Sequence, residues 1–241
     1  MTRLGMLTPS SNTALEPATY GLLRGLPGVS AHFARFPVTE IALSASALGQ
    51  FDAAPILQAA ELLSHAKADV IAWNGTSASW LGFERDEQLA AEITSRTGIP
   101  ATTAILAMNE LLMRLRAKRI AMVTPYLGDV QAKIIANYET TGFTCVAERH
   151  AGLQDNFSFA ALPTSEIEAM IMAVAAEKPD AIAIICTNMD ATRLVPEIEA
   201  RTGIPVIDSI ACTLWGALKV AGADTAPLRS AGRIFQLANT P

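Results

Sequence analysis

The residue best placed to do chemistry is Cys186. It closes an apolar run, AIAIIC at 181–186, and is followed at once by Thr187 and Asn188. A free thiol has a reference pKa of about 8.5, so near neutrality it is mostly protonated and can hand a proton to a carbanion; modest tuning turns it into a base. A lone cysteine behind an apolar strand is by default a small buried hydrophobe. What separates Cys186 from that default is its place at a strand's carboxyl end, among polar residues. Cys145 falls inside a strand and Cys212 in or near a helix start, and both read as core.

Three other segments switch from apolar to polar in the same way: TPSSN at 8–12, NGTS at 74–77 and TPY at 124–126. In open parallel sheets, ligands bind beyond the carboxyl ends of the strands, where loops and helix N-termini converge. Hydroxyls, amides and free backbone N–H groups at such turns suit a carboxylate. Gly75, Thr76 and Ser77 fit that role about as well as a plain strand-to-helix turn, in which Gly permits the bend and a hydroxyl caps the helix. Tyr126 is either an amphipathic surface residue or a donor in the same cluster. His32, His65 and His150 are scattered without metal spacing and read as structural.

These turns come in pairs because the chain contains itself twice. RLGMLTP at 3–9 returns as RIAMVTP at 119–125, DVIAWNGTS at 69–77 as DAIAIICTN at 180–188, and RTGIP at 96–100 as RTGIP at 201–205. The register sets Ser10 opposite Tyr126, and Gly75 opposite Cys186. A thiol on only one side of a pseudo-two-fold axis suggests a site built for two acid/base groups that keeps one.

Short apolar runs alternate with segments of helical period, which predicts an α/β fold: two pseudo-symmetric lobes, each a parallel sheet flanked by helices, with the site in the cleft between. Strands are expected at 4–7, 29–36, 70–73 and about 101–103, then at 120–123, 144–150, 181–185 and 206–207. Helices are expected at about 15–24, 54–65 and 85–97. Ser165 and Glu168 predict a capping box ahead of an Ile167, Met170, Ile171, Val174 stripe. Gly98 and Gly203 mark helix ends. Ile105, Leu106, Met108, Leu111, Leu112 and Leu115 form the apolar face of a helix closing the first copy; Leu214, Trp215, Leu218 and Val220 belong to its counterpart. The lobes are expected at 1–116 and 117–241, joined by a charged turn that favours tight packing, with 208–241 able to pack back on the first lobe.

At 241 residues with 51% apolar composition, the chain can build two real cores. A net charge of −5, with no basic run interleaved with aromatics, argues against nucleic acid. No apolar stretch is long enough to cross a bilayer, and the early first strand leaves no room for a signal peptide. Three cysteines without a CxxC pair point to reduced thiols and a cytoplasmic location. There is no GxGxxG, Walker loop, GxSxG elbow or metal-spaced cluster, so the expectation is chemistry without a cofactor.

With strand-end residues of this kind in a duplicated α/β chain, the sequence resembles the aspartate/glutamate racemase superfamily over its whole length. The resemblance implies cofactor-free chemistry at a carbon next to a carboxylate, with two cysteines facing each other; Cys186-Thr187 fits the second-half motif, and Gly75 stands where the first-half cysteine would be. Within the superfamily, VIAWNGTSASW, GIPATT and VTPYLGDV are similar to the arylmalonate decarboxylase branch, which implies that Thr76, Ser77, Tyr126 and amides near Cys186 hold a carboxylate while Cys186 protonates an enediolate. PSSNT with Asn12, and DNFSF with Asn156, resemble the maleate cis-trans isomerase branch, and SAHFARFPVTEIALS looks like its ectoine-utilisation-associated relatives. Asn12 and Asn156 then imply a second polar group on the substrate. The readings that remain open are a decarboxylase-like lyase with Cys186 as its single thiol, an isomerase or racemase, and a non-catalytic carboxylate-binding protein. The expected partner is a small carboxylate or dicarboxylate; a homo-oligomer is compatible with everything above.

Overall fold

The computed structural model describes residues 1–237, which fold as two parallel sheets of like topology. The first contains β1 (Thr2–Pro9), β2 (Val29–Phe36), β3 (Val70–Trp73) and β4 (Ala101–Thr103), in the order β2-β1-β3-β4. The second contains β5 (Arg119–Thr124), β6 (Thr144–His150), β7 (Ala181–Ile184) and β8 (Val206–Asp208), in the order β6-β5-β7-β8. The helices of the first copy are α1 (Leu15–Leu23), α2 (Ala45–Gly49), α3 (Ala53–His65), α4 (Ala78–Leu81), α5 (Glu84–Thr97) and α6 (Ala104–Arg114). Those of the second are α7 (Gly128–Thr140), α8 (Asn156–Phe159), α9 (Thr164–Ala175), α10 (Val195–Thr202) and α11 (Ser209–Val220). The α/β architecture is the one the sequence pattern predicts.

The repeated residues do the same work in both copies. Asp69 accepts from the amide of Arg3 at 2.7 Å, and Asp180 from those of Lys118 and Arg119 at 2.8 Å, so each aspartate clamps the start of its central strand. Thr103 and Asp208, each at the end of a last strand, cap the following helix through the amides of Leu106 and Ala211. Gly98 and Gly203 both end their helices at φ +72°, a left-handed conformation in which glycine lacks the usual penalty. The inner strands β3 and β7 are buried at every position, as expected of parallel strands covered on both faces.

Two expectations need correction. No capping box forms at Ser165: α9 begins a residue earlier, Pro163 precedes it with no side-chain cap, and Glu168 instead pairs with Arg201. A carboxylate within reach of a guanidinium on a neighbouring helix prefers that charged partner. Val220, at the last turn of α11, is 42% exposed rather than part of its apolar face.

The lobes do not sit apart. One apolar core runs through both sheets, and α11 lies at its centre with Ser209 through Leu218 buried. This helix packs on α6, α1 and on β3 and β4 of the first sheet. Gly216 permits the approach to α6, since a Cβ there would meet the Ala107 methyl at 2.8 Å. Residues 238–241, the end of the segment expected to pack back, lie outside the described residues.

Candidate active site

The four polar turns meet where the carboxyl ends of the two sheets face each other. Thr187 Oγ1 donates to the Asn74 carbonyl at 2.8 Å, tying the end of β7 to the end of β3. Asn12 Nδ2 donates to the Thr187 carbonyl at 3.0 Å, while its Oδ1 accepts from the amides of Ala14 and Leu15. Asn188 Oδ1 accepts from the amides of Thr13 and Ala14. The start of α1 is thus fixed by a residue of the opposite lobe.

Around this junction lies a cavity of about 20 Å³ lined by Gly75, Thr76, Tyr126, Asn156, Cys186 and Thr187, with Pro9, Trp80 and a roof of Val38, Ile41 and Phe51. The structure therefore brings six of the eight sequence candidates around one space. The other two stand beside it. The Asn12 amide is engaged in holding Thr187 and α1, and Ser77 borders a second cavity on the far side of the same turn.

Cys186 is buried, at 2% exposure, with its amide donating to Ser209 Oγ and its sulfur accepting from the Asn188 amide at 3.3 Å. Burial pushes the thiol up to about 12, against the opposing pull of that amide and of the Tyr126 hydroxyl. It therefore carries its proton throughout the neutral range. Tyr126 O–H and Thr76 Oγ1 are 2.7 Å apart, and the ring is held edge-on between Trp80 and Phe159, so the hydroxyl has a fixed direction. Burial, followed by the nearby Cys186, raises the phenol well above its ordinary value and keeps it a donor. Among the described residues, the amides of Thr76 and Thr187, like that of Gly75, have no protein acceptor, which leaves N–H groups at the junction for a ligand.

Opposite Cys186, Gly75 has no room for a side chain. A Cβ there would lie 2.0 Å from Cζ2 and 2.3 Å from Cε2 of Trp73, whose indole covers the glycine. The importance of Trp73, Trp80, Phe51 and Ser209 is not signalled by sequence type or spacing, because each depends on how a side chain crosses from one element to another. Among the described residues no group of three His, Cys, Asp or Glu side chains is placed to hold a metal ion. No helix among them is long and apolar enough to cross a membrane.

Fold and site define a class: duplicated parallel α/β proteins in which polar strand ends converge on a strand-end thiol. The chain belongs to the arylmalonate decarboxylase family, whose sequence model matches residues 30–235. It is 27% identical to the arylmalonate decarboxylase of Bordetella bronchiseptica over 183 residues, covering 75% of this chain and 76% of that one. It is also 27% identical to the maleate isomerase of Nocardia farcinica over 241 residues, covering 97% and 95%. Among solved structures, the Nocardia farcinica maleate cis-trans isomerase with a covalently bound succinylcysteine intermediate superposes with a TM-score of 0.89 at 24% identity, covering 98% and 99% of the two chains. A liganded double mutant of arylmalonate decarboxylase superposes with a TM-score of 0.86 at 21% identity, covering 99% and 100%. These similarities establish the fold and family, and both relatives are enzymes.

Proposed function

We propose that the protein is a cofactor-independent decarboxylase of a small malonate-type acid, with Cys186 as its single proton donor. The observation that carries this reading is the asymmetry of the site: one buried, protonated thiol faces a glycine whose side-chain space is filled by Trp73. An isomerase that needs a nucleophilic thiol on the Gly75 side has no group there, whereas a decarboxylase needs only one acid.

The chemistry follows from the donors. One substrate carboxylate binds Thr76 Oγ1, the Tyr126 hydroxyl and the free amides of Thr76 and Thr187. The other carboxylate leaves as CO₂, and the bonding pair passes into the retained carboxylate as an enediolate. Donors fixed before the reaction favour that charge without reorganising. Cys186 then gives its proton to the α-carbon, and the resulting thiolate regains one from water once the product leaves. Asn156, on the cavity wall with Nδ2 donating to Ser11 Oγ at 2.7 Å, is the polar group nearest to hand for a second carboxylate.

The test is product formation in D₂O from malonate, methylmalonate, phenylmalonate and maleate, with the parent and Cys186→Ser. The expected outcome is CO₂ release, one deuterium at the α-carbon, and a loss of roughly 10²–10⁴-fold in the variant, the usual worth of a placed acid or base. Fumarate from maleate with no CO₂ from any malonate would favour the isomerase reading. Tight binding of these acids without turnover would favour a carboxylate-binding protein.

A further inference from the structure

Behind the catalytic turn lies a second cavity of about 260 Å³, between α3, α5 and the end of β3. Its wall toward the active site is Trp73, and its apolar lining includes Phe51, Ile56, Leu81 and Leu89. Phe51 borders both cavities, and the turn alternates between them: Trp73 and Ser77 face the outer space, Gly75 and Thr76 the catalytic one. The indole is packed on Phe36 at 4.7 Å between ring centroids and is 1% exposed, so it is a fixed partition rather than a surface side chain. Its six-membered ring occupies the space where a Gly75 side chain would begin.

We propose that Trp73 is a specificity-determining residue: its indole separates the catalytic cavity from the outer one and restricts the substrate to acids with a small α-substituent, excluding aryl groups. This deepens the decarboxylase reading and rests on it for the chemistry, but not for the steric claim. A cavity needs about 10–15 Å³ to hold one water, so a catalytic space of about 20 Å³ is water-sized and has no room for a bulky α-substituent. Raising the roof makes room above the carboxylates, yet leaves the partition on the β3 side in place. Replacing Trp73 by a small residue joins the two spaces and offers a chamber large enough for a phenyl ring, in which Phe51, Ile56, Leu81 and Leu89 supply the apolar contacts beside the polar Arg85, Asp86, Gln88 and Glu92.

The experiment compares the parent, Trp73→Ala and the milder Trp73→Leu, each checked for folding by circular dichroism, in decarboxylation and equilibrium binding of methylmalonate and phenylmalonate. The parent should favour methylmalonate at least tenfold in kcat/KM and in affinity, and the variants should shift that ratio toward phenylmalonate by tenfold or more. Equal handling of both acids by the parent, or an unchanged ratio in a folded variant, overturns the proposal while leaving decarboxylation intact. If no protein releases CO₂ but the variants gain affinity for phenylmalonate over methylmalonate, the partition stands and the decarboxylase reading falls. Should both variants fail to fold, the parent's own binding preference decides.

Discussion

At the scale of single residues, the site is a competition between burial and hydrogen bonding, and burial wins. The amide donated to the Cys186 sulfur and the Tyr126 hydroxyl both favour a thiolate, yet the group is held near 12 because water is excluded. A reactive nucleophile needs the opposite balance, so the same surroundings that make Cys186 a poor nucleophile at rest make it a loaded acid. Thr76 and Tyr126 hold each other's hydroxyl in place through their hydrogen bond, and in the proposed reaction both would bind the substrate carboxylate. If they stabilise charge that grows in the transition state, Thr76→Ala and Tyr126→Phe should each lower kcat, by up to roughly 10²–10³-fold for a well-placed donor. A change confined to KM in both variants would mean that they only hold the ground state. Cys186, Gly75, Thr76, Tyr126 and Thr187 were legible as one group because the internal repeat aligns strand ends, and strand ends converge; Asn156, at the start of α8, was legible only through the family resemblance of DNFSF. Asn12 was legible as polar and close, but its engagement by α1 and Thr187 depends on the second lobe, which no local pattern records. Trp73 was invisible for the same reason.

At the scale of elements, the sequence pattern gives the sheets well and the short helices poorly. The strands at 29–36, 70–73, 101–103 and 144–150 match their predicted bounds, because apolar runs end in sharp polar or glycine-bearing turns. Helices as short as α2, α4 and α8, of four or five residues, complete too few turns to show a periodicity. Yet the segment that contains α2 roofs the site. Residues 37–52 clasp the opposite lobe: the Ile41 amide donates to Gln154 O at 3.0 Å, the Asn156 amide to Thr39 O at 3.0 Å, and Glu40 pairs with Asp155 in a single bridge. Gln50 holds the segment's shape, accepting from the Thr39 amide at 2.6 Å and donating to the Glu40 carbonyl at 3.2 Å. In the proposed reaction a site of water-sized volume would have to open to admit an acid, and this segment is its roof. Gln50→Ala should therefore raise KM several-fold while costing only about 1 kcal/mol of stability, as loss of partly exposed hydrogen bonds does; an unchanged KM would show that the roof opens elsewhere. Asp86, on α5, tests a different feature. Burial raises its carboxyl to about 7, and Oδ2 has no partner. A pKa raised in the folded state favours folding below the unfolded value near 4 and loses that contribution as pH rises through 7. The shift is worth roughly 4 kcal/mol. Asp86→Asn should therefore gain stability relative to the parent between pH 4 and 8 in urea titrations, and a constant difference across that range would show that the carboxyl titrates normally.

At the scale of the whole molecule, duplication explains both what the site keeps and what it lacks. Two copies with the same strand order place equivalent turns face to face, so in the proposed reaction a planar enediolate between them would present one face to Cys186 and the other to Gly75. With one thiol, protonation comes from one side, and a new stereocentre should form as a single enantiomer. Restoring the missing thiol is the direct test of that geometry, but Gly75→Cys alone places its Cβ 2.0 Å from the Trp73 ring. A contact so short forces the indole out of its seat on Phe36, at a cost expected to exceed the roughly 1–3 kcal/mol of ordinary overpacking. Trp73→Leu combined with Gly75→Cys removes the obstacle, since a branched aliphatic side chain is shorter and the outer cavity can take up the adjustment. The double variant should scramble an α-substituted monocarboxylic acid that the parent leaves optically pure, because a second thiol can then deliver a proton to the opposite face. Optical purity is followed over time from one enantiomer, with Trp73→Leu/Gly75→Ala as the control that has the same space and no thiol. A folded double variant that binds the acid and never loses its optical purity would show that the Gly75 side does not face the α-carbon, and that the two-sided site implied by the repeat is not how this protein holds its substrate.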